Sequence, residues 1–170
     1  MGVLGLFEMR LTMTKPTYCI RLSGMDITKE LISCTGAQLC TLLNILCEHE
    51  KKITWYAADV TMIPNKKDWE LYKQYRPLMI GDTTRFIELC QQVAQFTSGV
   101  FLATFEINNL KSWAKDYETE GEEFADNEFA DIEIRAFDTS YFEIYSKSEN
   151  ILNPFIGRYD CNLNQKEKKK

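Results

Sequence analysis

The sequence predicts an α+β fold: a mixed, mostly antiparallel sheet with two main helices packed on one face. Three observations carry this. Apolar residues recur at helical spacing around 39–46 and again around 86–97. Apolar and polar residues alternate, as in strands, at 18–22, 132–136 and 141–145. Helices alternate with strands early, and a hairpin comes late. The competing layout is α/β with a partly parallel sheet. At 170 residues the chain is long enough to bury a core of its own. Its 45% hydrophobic and 26% charged composition argues against a disordered chain, a coiled coil or a membrane protein. One domain is expected over 1–165, with 1–16 as an extension and 166–170 as a basic, mobile tail.

The elements follow in order. Tyr18, Ile20 and Leu22 alternate with Cys19 and Arg21 and read as a strand. The strongest helix is 36–48: Leu39, Leu42, Leu43 and Leu46 share one face, and Thr35 with Gln38 fits a capping box. Residues 53–60, rich in β-branched and aromatic side chains, read as a strand that ends before Pro64-Asn65. A short helix is expected over 67–75. Asp82 suits the N-cap of a second long helix, with Phe86, Leu89, Cys90, Val93 and Thr97 on one face and Ser98-Gly99 as its stop. Residues 100–105 then form a buried strand. Ile132, Ile134 and Ala136, then Phe142 and Ile144, form a hairpin about Asp138-Thr139-Ser140. A last helix over 149–159 is expected to break at Pro154.

Charge and cysteine usage narrow the function. The formal charge is −5, and 166–170 holds four lysines and one glutamate, a local +3 that leaves −8 on the preceding residues. Such a body repels phosphate backbones, so nucleic acid is not an expected ligand, and it attracts a basic partner. The six cysteines form no CxxC pair and read as reduced, mostly buried thiols of a cytoplasmic protein. The apolar start of the chain is too short for a signal core or a membrane span.

The segment 116–133 holds nine carboxylates and no Lys, Arg or His. Its reading as a docking surface for a basic protein rests on Asp116, Tyr117, Glu118, Glu120, Glu122, Glu123, Phe124, Asp126 and Glu128: carboxylates for charge-assisted bonds, aromatics for apolar anchors. The competing readings are a solvated loop and a calcium loop at Asp126, Glu128, Asp131 and Glu133, although the EF-hand glycine and spacing are missing. No metal, cofactor or catalytic residue is expected. His49, the single histidine, reads as a surface residue at a helix end, complementing the macrodipole. Asp59 and Asp138, each at a strand end, are the only paired carboxylates considered for acid–base work, and both read more simply as bonded structural residues. Trp55, Tyr56 and Asp59 offer an alternative small-molecule pocket. Aromatic residues on the outer face of 141–145 would suit a homodimer edge or simply an edge strand.

Three stretches stand together as a pattern: Ile53-Thr54-Trp55-Tyr56-Ala57-Ala58-Asp59-Val60, Gln95-Phe96-Thr97-Ser98-Gly99-Val100-Phe101, and Glu133-Ile134-Arg135-Ala136-Phe137-Asp138-Thr139-Ser140-Tyr141-Phe142-Glu143-Ile144-Tyr145. This arrangement resembles small bacterial immunity proteins encoded beside secreted or contact-delivered toxins. The resemblance implies a non-enzyme that binds one cognate toxin in the producing cell. With the acidic segment, it points to a basic toxin, as expected for a nuclease.

Overall fold

The alternating and helical patterns resolve into seven strands and five helical segments in the computed structural model, which describes residues 17–50, 52–105, 113, 115–121 and 130–166. The strands are β1 (Thr17–Leu22), β2 (Thr54–Ile63), β3 (Leu78–Gly81), β4 (Gln95–Thr104), β5 (Ile132–Phe137), β6 (Tyr141–Ser146) and β7 (Asn164–Lys166). The helices are α1 (Gly24–Ile27), α2 (Gly36–His49), a 3-10 helix (Lys67–Lys73), α3 (Thr83–Cys90) and α4 (Glu149–Arg158). The sheet is open, in the order β3-β2-β4-β5-β6-β1-β7, and each pairing within it is antiparallel. The α+β class is as expected. The expectation of two main helices is too few, and no parallel strand occurs among the described residues.

Local chemistry explains α2. Thr35 Oγ1 accepts the Gln38 N–H at 3.1 Å, and Gln38 Oε1 accepts the Thr35 N–H at 3.1 Å, closing the anticipated capping box. Asp82 caps α3 by accepting the Arg85 N–H at 2.9 Å.

The second helix is shorter than its spacing predicts. It ends at Cys90, and Ser98-Gly99 lies inside β4 rather than at a helix end. The Gln92 and Val93 N–H groups bond back to Leu89 and Cys90, which turns the chain, and the Phe96 N–H then bonds to the Cys34 carbonyl. Residues 95–104 pair with both β2 and β5, and that pairing overrides the helical spacing of Val93 and Thr97. The strands β3 and β7 add to the expected elements. They are the sheet edges, so β6, expected as a dimer edge, lies inside the sheet between β5 and β1. Pro154 sits within α4 without ending it at that point.

One face of the sheet carries the main core. Trp55 and Ala57 of β2, Phe101 and Ala103 of β4, Ile132, Ile134 and Ala136 of β5, and Phe142 and Ile144 of β6 pack there with Leu39, Leu42, Leu43 and Leu46 of α2. Phe86 of α3 and Leu152 and Phe155 of α4 complete the layer. Trp69, delivered by the 3-10 helix, stacks edge-on against Phe96 at 5.5 Å between ring centroids. Its Nε1–H donates to the Leu89 carbonyl at 3.2 Å, so the indole is buried without an orphaned donor. Each such aromatic contributes about 2–3 kcal/mol by burial.

Asp59 decides which side chains reach this core. Its φ of +51° marks an irregularity in β2, where the register with β4 shifts between Ala58 and Thr61. Trp55 and Ala57 face the helices before it, and Val60 and Met62 face them after it. Without the extra residue, Val60 would point to the opposite face. Among the described residues, no helix is long and apolar enough to cross a membrane.

Candidate functional site

The opposite face of the sheet carries a different set of side chains. Alternation in β5 and β6 sends Glu133, Arg135, Glu143 and Tyr145 there, and β1 adds Cys19 and Arg21. The register places Arg135 across from Glu143, Glu143 across from Arg21, and Tyr145 across from both Glu133 and Cys19. Glu133, Arg135, Glu143 and Tyr145 are all less than 5% exposed.

Burial of such charges is tolerable only with partners. The Arg135 Nε–H donates to Glu133 Oε1, and the Tyr145 hydroxyl donates to Glu143 Oε2. Glu143 Oε1 accepts from Arg21 Nη2 at 2.6 Å and Nε at 3.1 Å. This bond raises the Arg21 pKa further above its already high range. The Arg21 guanidinium also lies 4.0 Å over the Tyr141 ring. Beside this cluster, burial and then the Glu143 charge push the Cys19 thiol up to about 12. Arg21 and Glu143 thus join β1 to β6, and the Arg135 guanidinium, 5.7 Å over the Tyr145 ring, joins β5 to β6.

Part of the acidic segment lies over this face as a strap. Along 116–120 the side chains alternate: Tyr117 and Thr119 are buried, whereas Asp116, Glu118 and Glu120 are exposed. Thr119 is held at three points. Its N–H donates to Asp59 Oδ2 at 2.7 Å, its Oγ1 accepts the Gly99 N–H at 3.0 Å, and its carbonyl accepts Arg135 Nη1–H at 3.2 Å. The Tyr117 N–H donates to the Tyr75 carbonyl at 2.8 Å. The Tyr117 ring packs against Trp113, and Trp113 against Tyr56, at 5.8 and 5.1 Å between centroids. With Ala58, Val100, Leu102 and Ala130 they form a second apolar cluster. Outside, Arg76 Nε bonds Asp116 Oδ1 at 2.8 Å, and Glu118 and Glu120 point to solvent.

The expected site residues therefore separate. Asp116, Glu118 and Glu120 form one outward row. Tyr117 is not a surface anchor: it is 4% exposed and fastens the strap to its own sheet. Glu122, Glu123, Phe124, Asp126 and Glu128 lie outside the described residues. Of the calcium-loop reading, Asp131 Oδ2 accepts the Phe105 N–H at 2.7 Å and Glu133 bonds Arg135. No group of three or more potential metal ligands occurs among the described residues.

Trp55, Tyr56 and Asp59 do not converge on one pocket. Trp55 faces the helices, with its Nε1–H on Thr83 Oγ1 at 2.9 Å, whereas Tyr56 faces Trp113. Asp59 is a bonded carboxylate, at the bulge rather than at a strand end. Asp138 sits in the β5–β6 turn at a φ of +39°, followed by Thr139 at +59°. His49 ends α2, exposed as expected, beside a groove of about 270 Å³ lined by Leu46, Phe105, Ser148 and Ile151.

Sequence reasoning missed the buried cluster of Glu133, Arg135, Glu143 and Tyr145, which the exposed Arg21 closes at its rim. Its signal was one outward charge in each of β1 and β6, Arg21 and Glu143, and two in β5, Glu133 and Arg135, which together read as a wet face unless something covers it. Comparison of the chain with family models, with curated proteins and with solved structures finds no match.

Proposed function

We propose that this chain is a non-enzymatic immunity protein that binds a basic bacterial toxin in the cytoplasm of the producing cell and occludes its active site. The observation that carries this reading is the strap: three carboxylates, Asp116, Glu118 and Glu120, face outward on a segment pinned from below by Tyr117 and Thr119. A pinned row, with Glu118 and Glu120 facing solvent and Asp116 paired with Arg76, needs little ordering on binding, so more of its interaction energy survives as affinity. It suits a cleft built to hold phosphates, where carboxylates would occupy the phosphate subsites and exclude substrate. The chain's net charge of −5 supports the same polarity of partner.

The test uses two immobilised full-length chains, native and D116N/E118Q/E120Q, exposed at low salt to a lysate of the encoding organism. The native chain is expected to retain one basic protein that salt releases. The neutralised chain is expected to capture it about tenfold more slowly, as for a loss of steering. The purified partner's activity is expected to fall to zero at one equivalent of the native chain. Equal retention by both chains, or a partner that stays active when saturated, overturns the reading.

A further inference from the structure

We propose that Cys40 and Cys90 form a redox modification site, a dithiol that a peroxide converts into an intramolecular disulfide joining α2 to α3. This inference is independent of the binding reading above.

The site is built by a close helix contact. Gly36 opens α2 against the end of α3, and a Cβ at that position would lie 2.0 Å from the Cys90 carbonyl oxygen. The Gly36 N–H also donates to the Val93 carbonyl at 3.2 Å. Cys40 is one helical turn after Gly36, so it shares the face turned towards α3. Its Sγ–H donates to the Ile87 carbonyl at 3.6 Å, and Ile87 is one turn before Cys90 on α3. The two thiols interact directly across this contact. Glycine at position 36 is what permits the start of α2 to meet the end of α3 this closely.

The two sulfurs differ in the way a peroxide reaction requires. Cys40 is half-buried and reachable, whereas Cys90 is fully buried. The bond from Cys90 holds the Cys40 thiol below the ordinary range, while burial holds Cys90 well above it. Cys40 is therefore the attacking thiolate. Its sulfur displaces hydroxide from the peroxide: an S–O bond forms, the O–O bond breaks, and the sulfur is oxidised by two electrons to a sulfenic acid. The Cys90 sulfur then attacks that sulfenic sulfur. An S–S bond forms, the S–O bond breaks, and the departing hydroxide takes the Cys90 proton. Two thiols and one hydrogen peroxide give one disulfide and two waters.

The experiment treats the folded full-length protein with hydrogen peroxide, alkylates remaining thiols in denaturant without reduction, and maps the peptides by mass spectrometry. The expected product is a linked pair of peptides containing Cys40 and Cys90, separated again by a dithiol reductant. Cys47 and Cys161, also half-buried, are the internal controls and are expected to remain alkylatable. In C40S, Cys90 is expected to stay a free thiol under the same dose. In C90S, Cys40 is expected to be trapped as a sulfenic acid by a dione probe. Native protein in which Cys40 reaches sulfinic acid while Cys90 remains alkylatable overturns the proposal. So does peroxide consumption at Cys47 or Cys161 before Cys40.

Discussion

The two faces of the one sheet bury their side chains by different physics. On the helix face, Trp55, Trp69, Phe86, Phe96 and Phe101 pack ring against ring, and burial requires shape plus one acceptor for each indole N–H. On the strap face, Glu133, Arg135, Glu143 and Tyr145 are equally buried, and each needs a named partner. The first face tolerates changes that preserve volume. The second tolerates changes that preserve charge balance. The strap uses both: Tyr117 packs into an apolar cluster, and Thr119 is bonded to Asp59, Gly99 and Arg135.

The largest effect that separates the faces comes from the helix side. Phe86→Ala leaves a cavity among Trp55, Trp69 and Phe101 and is expected to cost about 4 kcal/mol by chemical denaturation. Next, Arg135→Met removes the buried guanidinium that bonds Glu133 and the Thr119 carbonyl and is expected to cost about 3 kcal/mol, whereas the double change E133M/R135M recovers most of that loss. A double variant as unstable as the single one would break the comparison, because shape would then limit both faces.

Third, Thr119→Val removes the acceptor of the Gly99 N–H and is expected to cost about 1–2 kcal/mol. Hydrogen exchange should rise at 115–121 and stay slow in β5 and β6. Slow exchange throughout would place the strap's anchorage in the Trp113–Tyr117 contact instead.

The fourth prediction is alkaline sensitivity. Burial pushes the Cys19 and Cys34 thiols from 9.0 up to about 12, one on each face. Below pH 9 both folded and unfolded chains keep these protons, and stability is unaffected by them. Between pH 9 and 12 the unfolded chain releases its protons while the native chain holds them, so stability falls as pH rises. Each thiol contributes a slope of about 1.4 kcal/mol per pH unit once past its unfolded value. Denaturation midpoints from pH 8 to 10.5 should flatten with either Cys19→Ala or Cys34→Ala. If only Cys34→Ala flattens the curve, the strap face admits water at Cys19 and the comparison sharpens.

Some of this was determined by the sequence alone. The capping box of Thr35 and Gln38, the Asp82 cap, and the alternation at 132–136 and 141–145 each depend on residues within a few positions of one another. Short-range sterics and hydrogen bonding suffice for them. Even the acidic segment was visible as an anomaly of charge. Its alternation at 116–120 has no meaning, however, until there is a sheet beneath it.

Tertiary structure decided the rest. The end of α3 at Cys90 follows from the pairing of β4 with β2 and β5, contacts that helical spacing cannot report. Asp59 interrupts an apolar run in sequence, but its work, moving Val60 to the core and holding Thr119, joins positions 60 residues apart. The fate of Glu133, Arg135 and Glu143 is the clearest case. An alternating charged position signals only which side of a strand it occupies. Whether that side meets water or a buried partner depends on what the chain lays across it, and that is a property of the whole fold.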